Sequence, residues 1–563
     1  MPPQDTPQIA SGPVSPPATG RRRDEARVID LASRGRRAGT SVTRTARAEG
    51  VARSTLCYRM ARKDRIPAPE ALRDVFESPA GVALLHRVVA ALHLVFVQQC
   101  ACGVDRVGEF LRLSGLHVFA ASSHGYHHGV ARRVEGLLGA YGLAERTRLA
   151  TGMTPRPIAL CEDETFHPET CLVGIEPASG FIVLERYADA RDAATWTAEM
   201  DQALAGLPVE VVVVSSDEAK GLRSHIRQGL GAEPSPDLFH VQHDLSRATA
   251  RPMARRIDGP TAAHAQAVQV TADARKAKAD YWDNPRPPGR PPLFDRYIGL
   301  AEQAEKAAEQ ALDTVIAERE AVRSAIRGVG DAFHLFDPAT GKRQNPARCL
   351  ARIRAAFQTI DAAAQTACSE PSLERIDKAR RVAPRLALSL DFAQRRLDRA
   401  LAALDLAPAI RAAVYTTLAP ARYLERAARC ARSAAERGAI RTIAAHRLAA
   451  ASAPNSPLAT LDPAVRDAIE CALTTCFDSF VRSTACVEGR NGQLALQHHS
   501  LHRLSTSRLA ALTVLHNFHI RRSDGTTAAQ RFFGQAPTPL FEWLLERLEP
   551  PARPRASRQR RAA

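Results

Sequence analysis

The chain has 563 residues, with 77 Lys or Arg against 60 Asp or Glu and a formal net charge of +17. This length exceeds what one hydrophobic core supports and predicts about three or four domains. The positive charge favours a polyanionic partner, most often nucleic acid. A merely soluble basic protein, or an Arg-rich composition inherited from a GC-rich genome, would give the same balance.

The 11 cysteines are scattered and form no CxxC pair, which argues against a disulfide scaffold and against common zinc modules. We expect reduced thiols in a cytoplasmic protein. The N-terminal stretch is Pro-rich and lacks the apolar segment of a signal peptide. The most apolar run, residues 82–97, contains His86, Arg87 and His93 and is short for a membrane span, so it predicts a buried helix and no membrane partner.

The N-terminal region predicts a DNA-binding module. Residues 1–20 are rich in Pro, Ser, Thr and Gly and are expected to be disordered. Residues 21–66 are typical of a helix-turn-helix, with a turn at Gly50 and Leu56 on the buried side of the second helix. The outward side chains of that helix would contact phosphates or base edges; they are Arg53, Ser54, Thr55, Tyr58 and Arg59. An ordinary helical hairpin with solvated arginines is the alternative.

The middle of the chain changes from helical to strand-like periodicity. Residues 67–152 predict a helical domain, and residues 153–255 predict the first part of an α/β catalytic domain. Strands are predicted at 158–161, 170–175, 180–184, 209–214 and 237–241. The order β-β-β-α-β-α-β is that of an RNase H-like mixed sheet, in which the first and fourth strands are neighbours. Asp163 and Asp217, which follow those strands, would then lie side by side.

The second half of the chain predicts mainly helices. Residues 256–469 are rich in Ala, Arg and Glu and predict an all-α insertion, interrupted by a Pro-rich break at 285–292. Residues 470–535 would return to the catalytic domain and supply Glu488. Residues 536–563 would form a C-terminal helix followed by an unstructured basic tail.

Three acids form the candidate catalytic site: Asp163, Asp217 and Glu488. Carboxylates are the ligands that Mg²⁺ prefers, and two such ions about 3.5–4 Å apart activate water and stabilise a leaving oxygen in phosphodiester cleavage. Strand alternation puts Asp163 on the opposite face from Glu162 and Glu164. Taken alone, Asp217 is equally well explained as a solvated loop acid or a helix cap.

Other polar residues are candidates for supporting roles. Glu164, His240 and His243 would lie near the metals or the phosphate, although the histidines are equally plausible as hydrogen-bonding residues beside a strand. Arg490 and Asn491 follow Glu488 closely and are predicted to contact DNA. A surface salt bridge is the alternative for Arg490.

These stretches resemble the DDE-type transposases of bacterial insertion sequences. Three blocks carry the resemblance: Cys-Glu-Asp163-Glu-Thr-Phe, Val-Val-Ser-Ser-Asp217-Glu-Ala-Lys-Gly-Leu and Val-Glu488-Gly-Arg-Asn491. Weaker matches are Asp-Leu-Phe-His240-Val-Gln-His243, Leu-His516-Asn-Phe and Asp-Gly-Thr-Thr527. The resemblance covers residues 157–250 and 480–535, and covers 21–66 in type only.

The resemblance implies an RNase H-like catalytic domain with a helical insertion before the glutamate. It implies cleavage and strand transfer at transposon ends with two Mg²⁺ ions, for which Mn²⁺ can substitute. The implied partners are double-stranded DNA, as terminal inverted repeats and target, and further copies of the chain, in the cytoplasm and at the nucleoid. A catalytically inactive transposase-derived DNA-binding protein and an RNase H-like nuclease are the alternatives.

Overall fold

The computed structural model describes residues 21–166, 169–284, 289–501 and 504–554. The expected disorder of residues 1–20, and most of the predicted basic tail, lie outside the described residues. The described chain is largely helical and contains one small mixed sheet.

The sheet has five strands in the order β3-β2-β1-β4-β5. The strands are β1 Arg156–Phe166, β2 Thr170–Glu176, β3 Phe181–Tyr187, β4 Val209–Ser216 and β5 Glu233–Pro236. β1 pairs antiparallel with β2 and parallel with β4, so the predicted adjacency of the first and fourth strands is confirmed.

The fifth strand differs from the prediction. β5 ends at Pro236, and Asp237 caps a helix that begins at Leu238, so the prediction of a strand over 237–241 was wrong. Four apolar or aromatic residues in a row fit a buried strand and a helix start equally well. The helix forms because the Asp237 carboxylate accepts a hydrogen bond of 2.7 Å from the Phe239 amide.

Both faces of the sheet are covered by helices. On one face Leu160 and Val214 pack with Leu138 and Trp196, which belong to α7 His124–Thr151 and α8 Ala193–Leu204. On the other face Cys161 and Val173 pack with Val487 and Leu494 of a later helix, Ala485–Leu501. Burial on both faces explains the apolar, β-branched character of β1 and β4.

The N-terminal helices pack around a small core of their own, which includes Ile29, Ala46 and Leu56. They are α1 Arg21–Arg37, α2 Val42–Ala48 and α3 Arg53–Asp64. Gly50 adopts a φ of +64° between α2 and α3, a conformation that glycine adopts without strain. Two helices joined by a tight turn are therefore present where the sequence predicts them.

Residues 67–152 are helical as expected. Their helices are α4 Glu70–Phe76, α5 Pro79–Leu92, α6 Val104–Leu113 and α7, with a π-helical continuation of α5 at His93–Gln99 and a 3₁₀ turn at Leu116–Val118. The segment Pro79–Gln99 is the one described helix long and apolar enough to cross a membrane, and 56% of its apolar window is buried in the fold. This burial is what a core helix of the predicted kind requires.

The insertion is longer than predicted, because the boundary expected at residue 256 falls inside one continuous helix. Before the insertion, α9 Lys220–Ser224 continues as a π-helix at His225–Gly229. The helices of the insertion begin at Leu238. They are α10 Leu238–Asp283, α11 Phe294–Ala332, α12 Pro346–Ala367, α13 Glu370–Ala402, α14 Pro408–Ala413, α15 Ala419–Ala427, α16 Ala434–Ala451 and α17 Pro463–Asp478, with a π-helix at Val414–Leu418 and a 3₁₀ turn at Ala428–Cys430. Part of the Pro-rich break between α10 and α11 lies outside the described residues.

The chain then returns to the sheet, and its last described residues lie against the N-terminal helices. The last helices are α18 Ala485–Leu501, α19 Thr506–Phe518, α20 Ala528–Phe533 and α21 Leu540–Arg547. Residues 551–554 are ordered against the N-terminal helices, since Arg553 pairs with Glu25 and Glu77. The expectation of an unstructured basic tail after the last helix was wrong for these four residues.

Candidate metal centre

Asp163 lies within β1, three residues before its end, beside Asp217, which directly follows the neighbouring strand β4. The parallel register pairs Glu162 with Ser216, and Asp163 and Asp217 are the residues that follow this pair. Strand alternation directs Asp163 to the face that is covered by α18. Glu162 and Glu164 point to the opposite face, where they lie near His225 and Trp196.

Glu488 reaches the same point from α18. It lies in the first turn of that helix, directly after the buried Val487 that anchors α18 to the sheet. Ligand atoms of Asp163, His240 and Glu488 all lie within 4.8 Å of one another, which is a spacing that one metal ion can bridge. Asp217 is outside this triplet but close enough to Asp163 to act on its charge.

The electrostatics of the centre favour a cation. Burial raises the pKa of Asp163 from 3.8 to about 6, and the charges of Asp217 and Glu488 add to that rise. The Glu164 amide, at 2.8 Å, and the charge of His240 oppose it. A half-buried carboxylate beside two further acids is costly without a positive partner, so the site fits a divalent ion.

His240 belongs to the centre, where the sequence left its role open. Its Nδ1 forms a hydrogen bond with Asp237, and this bond, together with the neighbouring carboxylates, raises the pKa of His240 to about 9. The side chain is 38% exposed. His240 is therefore held by one acid and faces the acids of the centre.

Asp237 is the residue that sequence reasoning missed. Its side chain is fully buried, and it accepts hydrogen bonds from the Phe239 amide and from the Thr484 hydroxyl, the latter at 2.6 Å. Its backbone N–H donates to the carbonyl of Ser216, next to Asp217. The signal was available as an acid before an apolar helix start, with histidine three residues on, but a strand assignment concealed it.

Asp237 thus joins the segments that carry the acids. Thr484 accepts the first amide hydrogen bonds of α18 at its carbonyl, from Val487 and Glu488. Fixing Thr484 therefore fixes the helix turn that presents Glu488. Asp237 is therefore connected to both sides of the cluster, because its backbone N–H donates to the Ser216 carbonyl and its carboxylate accepts from Thr484.

Several predicted site residues lie elsewhere. The Glu164 backbone amide donates to Asp163, but its side chain binds Arg191 and the indole of Trp196 on the other face of β1, so the prediction of a Glu164 carboxylate near the metals was wrong. His243 is exposed on α10 and stacks on Phe239, outside the triplet of ligands.

Arg490 does not present its charge to DNA. Its guanidinium makes two hydrogen bonds of 2.7 Å with the carboxylate of Glu185, and the two side chains are only 5% and 0% exposed. The predicted phosphate contact was wrong because the guanidinium is buried in an ion pair with Glu185, which joins α18 to β3. Asn491 is half-buried, and its contact with DNA stays a prediction.

The N-terminal candidates are mostly available. Arg53, Ser54, Thr55 and Tyr58 are exposed on α3, with 67% of the Tyr58 side chain accessible. Arg59 is half-buried and pairs with Glu25 of α1 at 3.0 Å. Four of the five predicted residues thus lie on an exposed helix face, whereas Arg59 joins α3 to α1 through its ion pair with Glu25.

A cleft opens beside the acids. It has a volume of about 250 Å³ and lies between the end of β4, α10 and α13. Asp217 lines it from the end of β4, His240 lines it from α10, and Lys378 lines it from α13. The helical insertion therefore forms one wall of the space next to the candidate centre.

Comparison with known proteins gives no activity. A family model described as "Family of unknown function (DUF6399)" matches residues 414–560, about a quarter of the chain. The matched part contains Glu488 and the helices after it, and excludes Asp163 and Asp217. No curated protein matches the chain.

Proposed function

We propose that the chain is a DDE-type DNA transposase that cleaves phosphodiester bonds at transposon ends and joins the freed 3′-hydroxyl to target DNA. One observation carries the proposal: Asp163, Asp217 and Glu488, spread over more than half of the chain, converge at one edge of the sheet. The strand order supports an RNase H-like reading of that sheet.

The residues present fit two Mg²⁺ or Mn²⁺ ions. Asp163, which lies near both other acids, would hold the ions together with Asp217 and Glu488. Such ions, when bound, supply an activated water and stabilise the leaving oxygen. The chain itself holds these donors in place through the parallel register of β1 with β4 and through the Asp237–Thr484 contact.

The DNA would approach from two sides. The exposed face of α3 offers Arg53, Ser54, Thr55 and Tyr58 for a terminal repeat. The side chain of Lys378 is 73% exposed at the rim of the cleft, where it pairs with Asp244 at 3.4 Å, and it would turn from this carboxylate to the phosphate backbone. The proposed setting is the bacterial cytoplasm, with several copies assembled on paired element ends and target DNA.

A nicking assay tests the proposal. The substrate is a duplex that carries the DNA flanking the coding region, incubated with Mg²⁺ or Mn²⁺. We expect nicking by the natural protein and a loss of at least about 10²-fold in Asp163→Asn, Asp217→Asn and Glu488→Gln. Glu164→Gln is the matched control, since it changes the acid next to Asp163 on the opposite face and should remain active.

The same assay separates the alternatives. Joining of pre-cut ends to a target duplex is expected of a transposase and not of a nuclease. An inactive DNA-binding relative would bind the duplex without metal-dependent nicking. Unchanged nicking by Asp163→Asn would refute the site.

A further inference from the structure

The cluster at the edge of the sheet contains a nitrogen donor as well as carboxylates. Asp163, His240 and Glu488 offer ligand atoms within 4.8 Å of one another, whereas Asp217 stands outside this set. The three carboxylates of the proposed function do not account for an imidazole at the same point. His240 comes from the first turn of the insertion, not from the sheet or from α18.

The orientation of His240 is fixed by a buried acid. Asp237 binds the Nδ1 atom of the ring, so the Nε2 atom, on the far side of the ring, is directed away from it. Metal-bound histidines in proteins commonly present this arrangement, in which a carboxylate holds one ring nitrogen and the metal takes the other. Asp237 cannot easily reorient, because Phe239 and Thr484 also donate hydrogen bonds to it.

We propose that Nε2 of His240 is a metal ligand that completes, with Asp163 and Glu488, one of the two ion positions. The inference rests on the proposed function for the existence of a two-ion centre, and it names the ion that one position selects. Mg²⁺ strongly prefers oxygen donors, whereas Mn²⁺, as the first-row ion closest to it in behaviour, tolerates one imidazole beside carboxylates. This position therefore binds Mn²⁺ in preference to Mg²⁺, and the position at Asp217 keeps an all-oxygen donor set.

Another role for His240 is distinguishable. A protonated imidazole, held between Asp237 and the acids, would neutralise the centre itself and contact a DNA phosphate instead of a metal. In that case no nitrogen would be bonded to the ion, and the loss of His240 would leave the affinity for Mn²⁺ unchanged or improved.

Pulsed electron paramagnetic resonance of bound Mn²⁺ decides between the two roles without DNA. The full chain, loaded with one equivalent of Mn²⁺, is expected to show electron spin-echo modulation from a directly bonded nitrogen. Labelling with ¹⁵N-histidine should change that modulation to the ¹⁵N pattern in the unmutated protein. This measurement needs no variant and so does not depend on any variant folding.

Variants then assign the nitrogen. In His240→Gln we expect the modulation to disappear and the Kd for Mn²⁺, measured by calorimetry, to rise about tenfold or more. The Kd for Mg²⁺ should change less than threefold. His243→Gln is the matched control, because this histidine lies one turn away on the same helix, outside the cluster, and the variant should behave like the unmutated protein.

Asp237→Asn tests the orientation. It keeps the size of the side chain, and we expect it to weaken Mn²⁺ binding about tenfold to a hundredfold while weakening the nitrogen modulation. The inference is overturned if Mn²⁺ does not bind, if bound Mn²⁺ shows no histidine nitrogen, or if the nitrogen signal survives in His240→Gln. Failure of DNA nicking with the nitrogen signal intact would refute the transposase and leave this ligand assignment standing.

Discussion

The carboxylate of Asp237 accepts a 2.6 Å hydrogen bond from the hydroxyl of Thr484, 247 residues further along the chain. Both side chains are buried. The bond joins the start of the insertion to the turn before α18, which are the two places where the chain leaves and re-enters the α/β part. The insertion therefore does not merely interrupt the candidate site, because its first residues hold the site together.

Replacing Thr484 should weaken both the fold and the metal centre. Thr484→Val keeps the shape but removes a hydrogen bond to a buried charge, which costs about 1.5–3 kcal/mol in the free energy of unfolding. We also expect a severalfold weaker affinity for Mn²⁺, since the turn that presents Glu488 loses the shorter of its two hydrogen bonds to Asp237. Urea denaturation and calorimetry measure the two effects.

The matched control is Thr484→Ser, which retains the hydroxyl. It should keep the metal affinity and most of the stability. Equal losses of metal affinity in the Ser and Val variants would contradict a role for this hydrogen bond.

Asp163 should destabilise the metal-free protein. Its pKa is about 6 in the folded chain against an ordinary value of 3.8, so its ionisation opposes folding increasingly as the pH rises from about 4 through 6. Above that window the cost approaches about 2–3 kcal/mol, which Asp163→Asn removes. In the presence of a chelator, this variant should melt several degrees higher at pH 8 and no higher at pH 4.

With saturating Mn²⁺, the natural protein should melt at a higher temperature than Asp163→Asn. The ion stabilises the folded natural protein by mass action and has fewer ligands in the variant. A difference in melting temperature that does not change between pH 4 and pH 8 would contradict the burial of this charge.

Arg490 should matter for stability and not for DNA affinity. Arg490→Leu leaves Glu185 buried with Thr513 as its other hydrogen-bond donor, and an uncompensated buried charge costs about 3–5 kcal/mol. The double variant Arg490→Leu, Glu185→Leu should recover most of the loss. Urea denaturation gives the free energies, and fluorescence anisotropy on a duplex gives the affinities.

The contrary result is easily recognised. If Arg490→Leu unfolds at the same urea concentration as the natural protein but binds the duplex much more weakly, the arginine contacts DNA after all and the buried pair is not its main role.

Local sequence signals predicted four of the five strands and the meeting of Asp163 with Asp217. β-branched runs and Gly turns set the strands, and a parallel neighbour then fixes which residues share an edge. Arg490 could not be understood in this way, because its partner Glu185 lies 305 residues earlier. The role of Asp237 was hidden for a related reason, since its partner Thr484 is distant and its local sequence fits two kinds of element.

Arg553 should hold the N-terminal module on the rest of the protein. Its guanidinium contacts Glu77 at 2.8 Å and Glu25 of α1 at 2.7 Å, and Glu77 is only 1% exposed. We expect Arg553→Ala to accelerate amide hydrogen exchange in α1 and α3 by at least about tenfold, because a buried carboxylate loses its closest cation.

The control for Arg553 is Arg133→Ala. Arg133 pairs with Glu549, and both side chains are 54% exposed, so its loss should cost at most about 1 kcal/mol. Unchanged exchange in α1 of Arg553→Ala would show that the C-terminal segment does not hold this module.

The buried pair His93 and His127 should make the fold sensitive to acid. Their rings lie 3.1 Å apart between Nε2 and Nδ1, and burial lowers the pKa of His93 to about 3 and that of His127 to about 4. Unfolded histidine titrates near 6.5. The unfolded chain therefore takes up protons first, and the stability present above pH 6.5 is lost as the pH falls towards 4. Each histidine adds a slope of at most about 1.4 kcal/mol per pH unit within that window.

His93→Gln should reduce the slope of the unfolding free energy, measured with urea between pH 7 and pH 4, whereas the exposed His124→Gln should leave it unchanged. An identical slope in both variants would show that the buried pair does not govern the acid response.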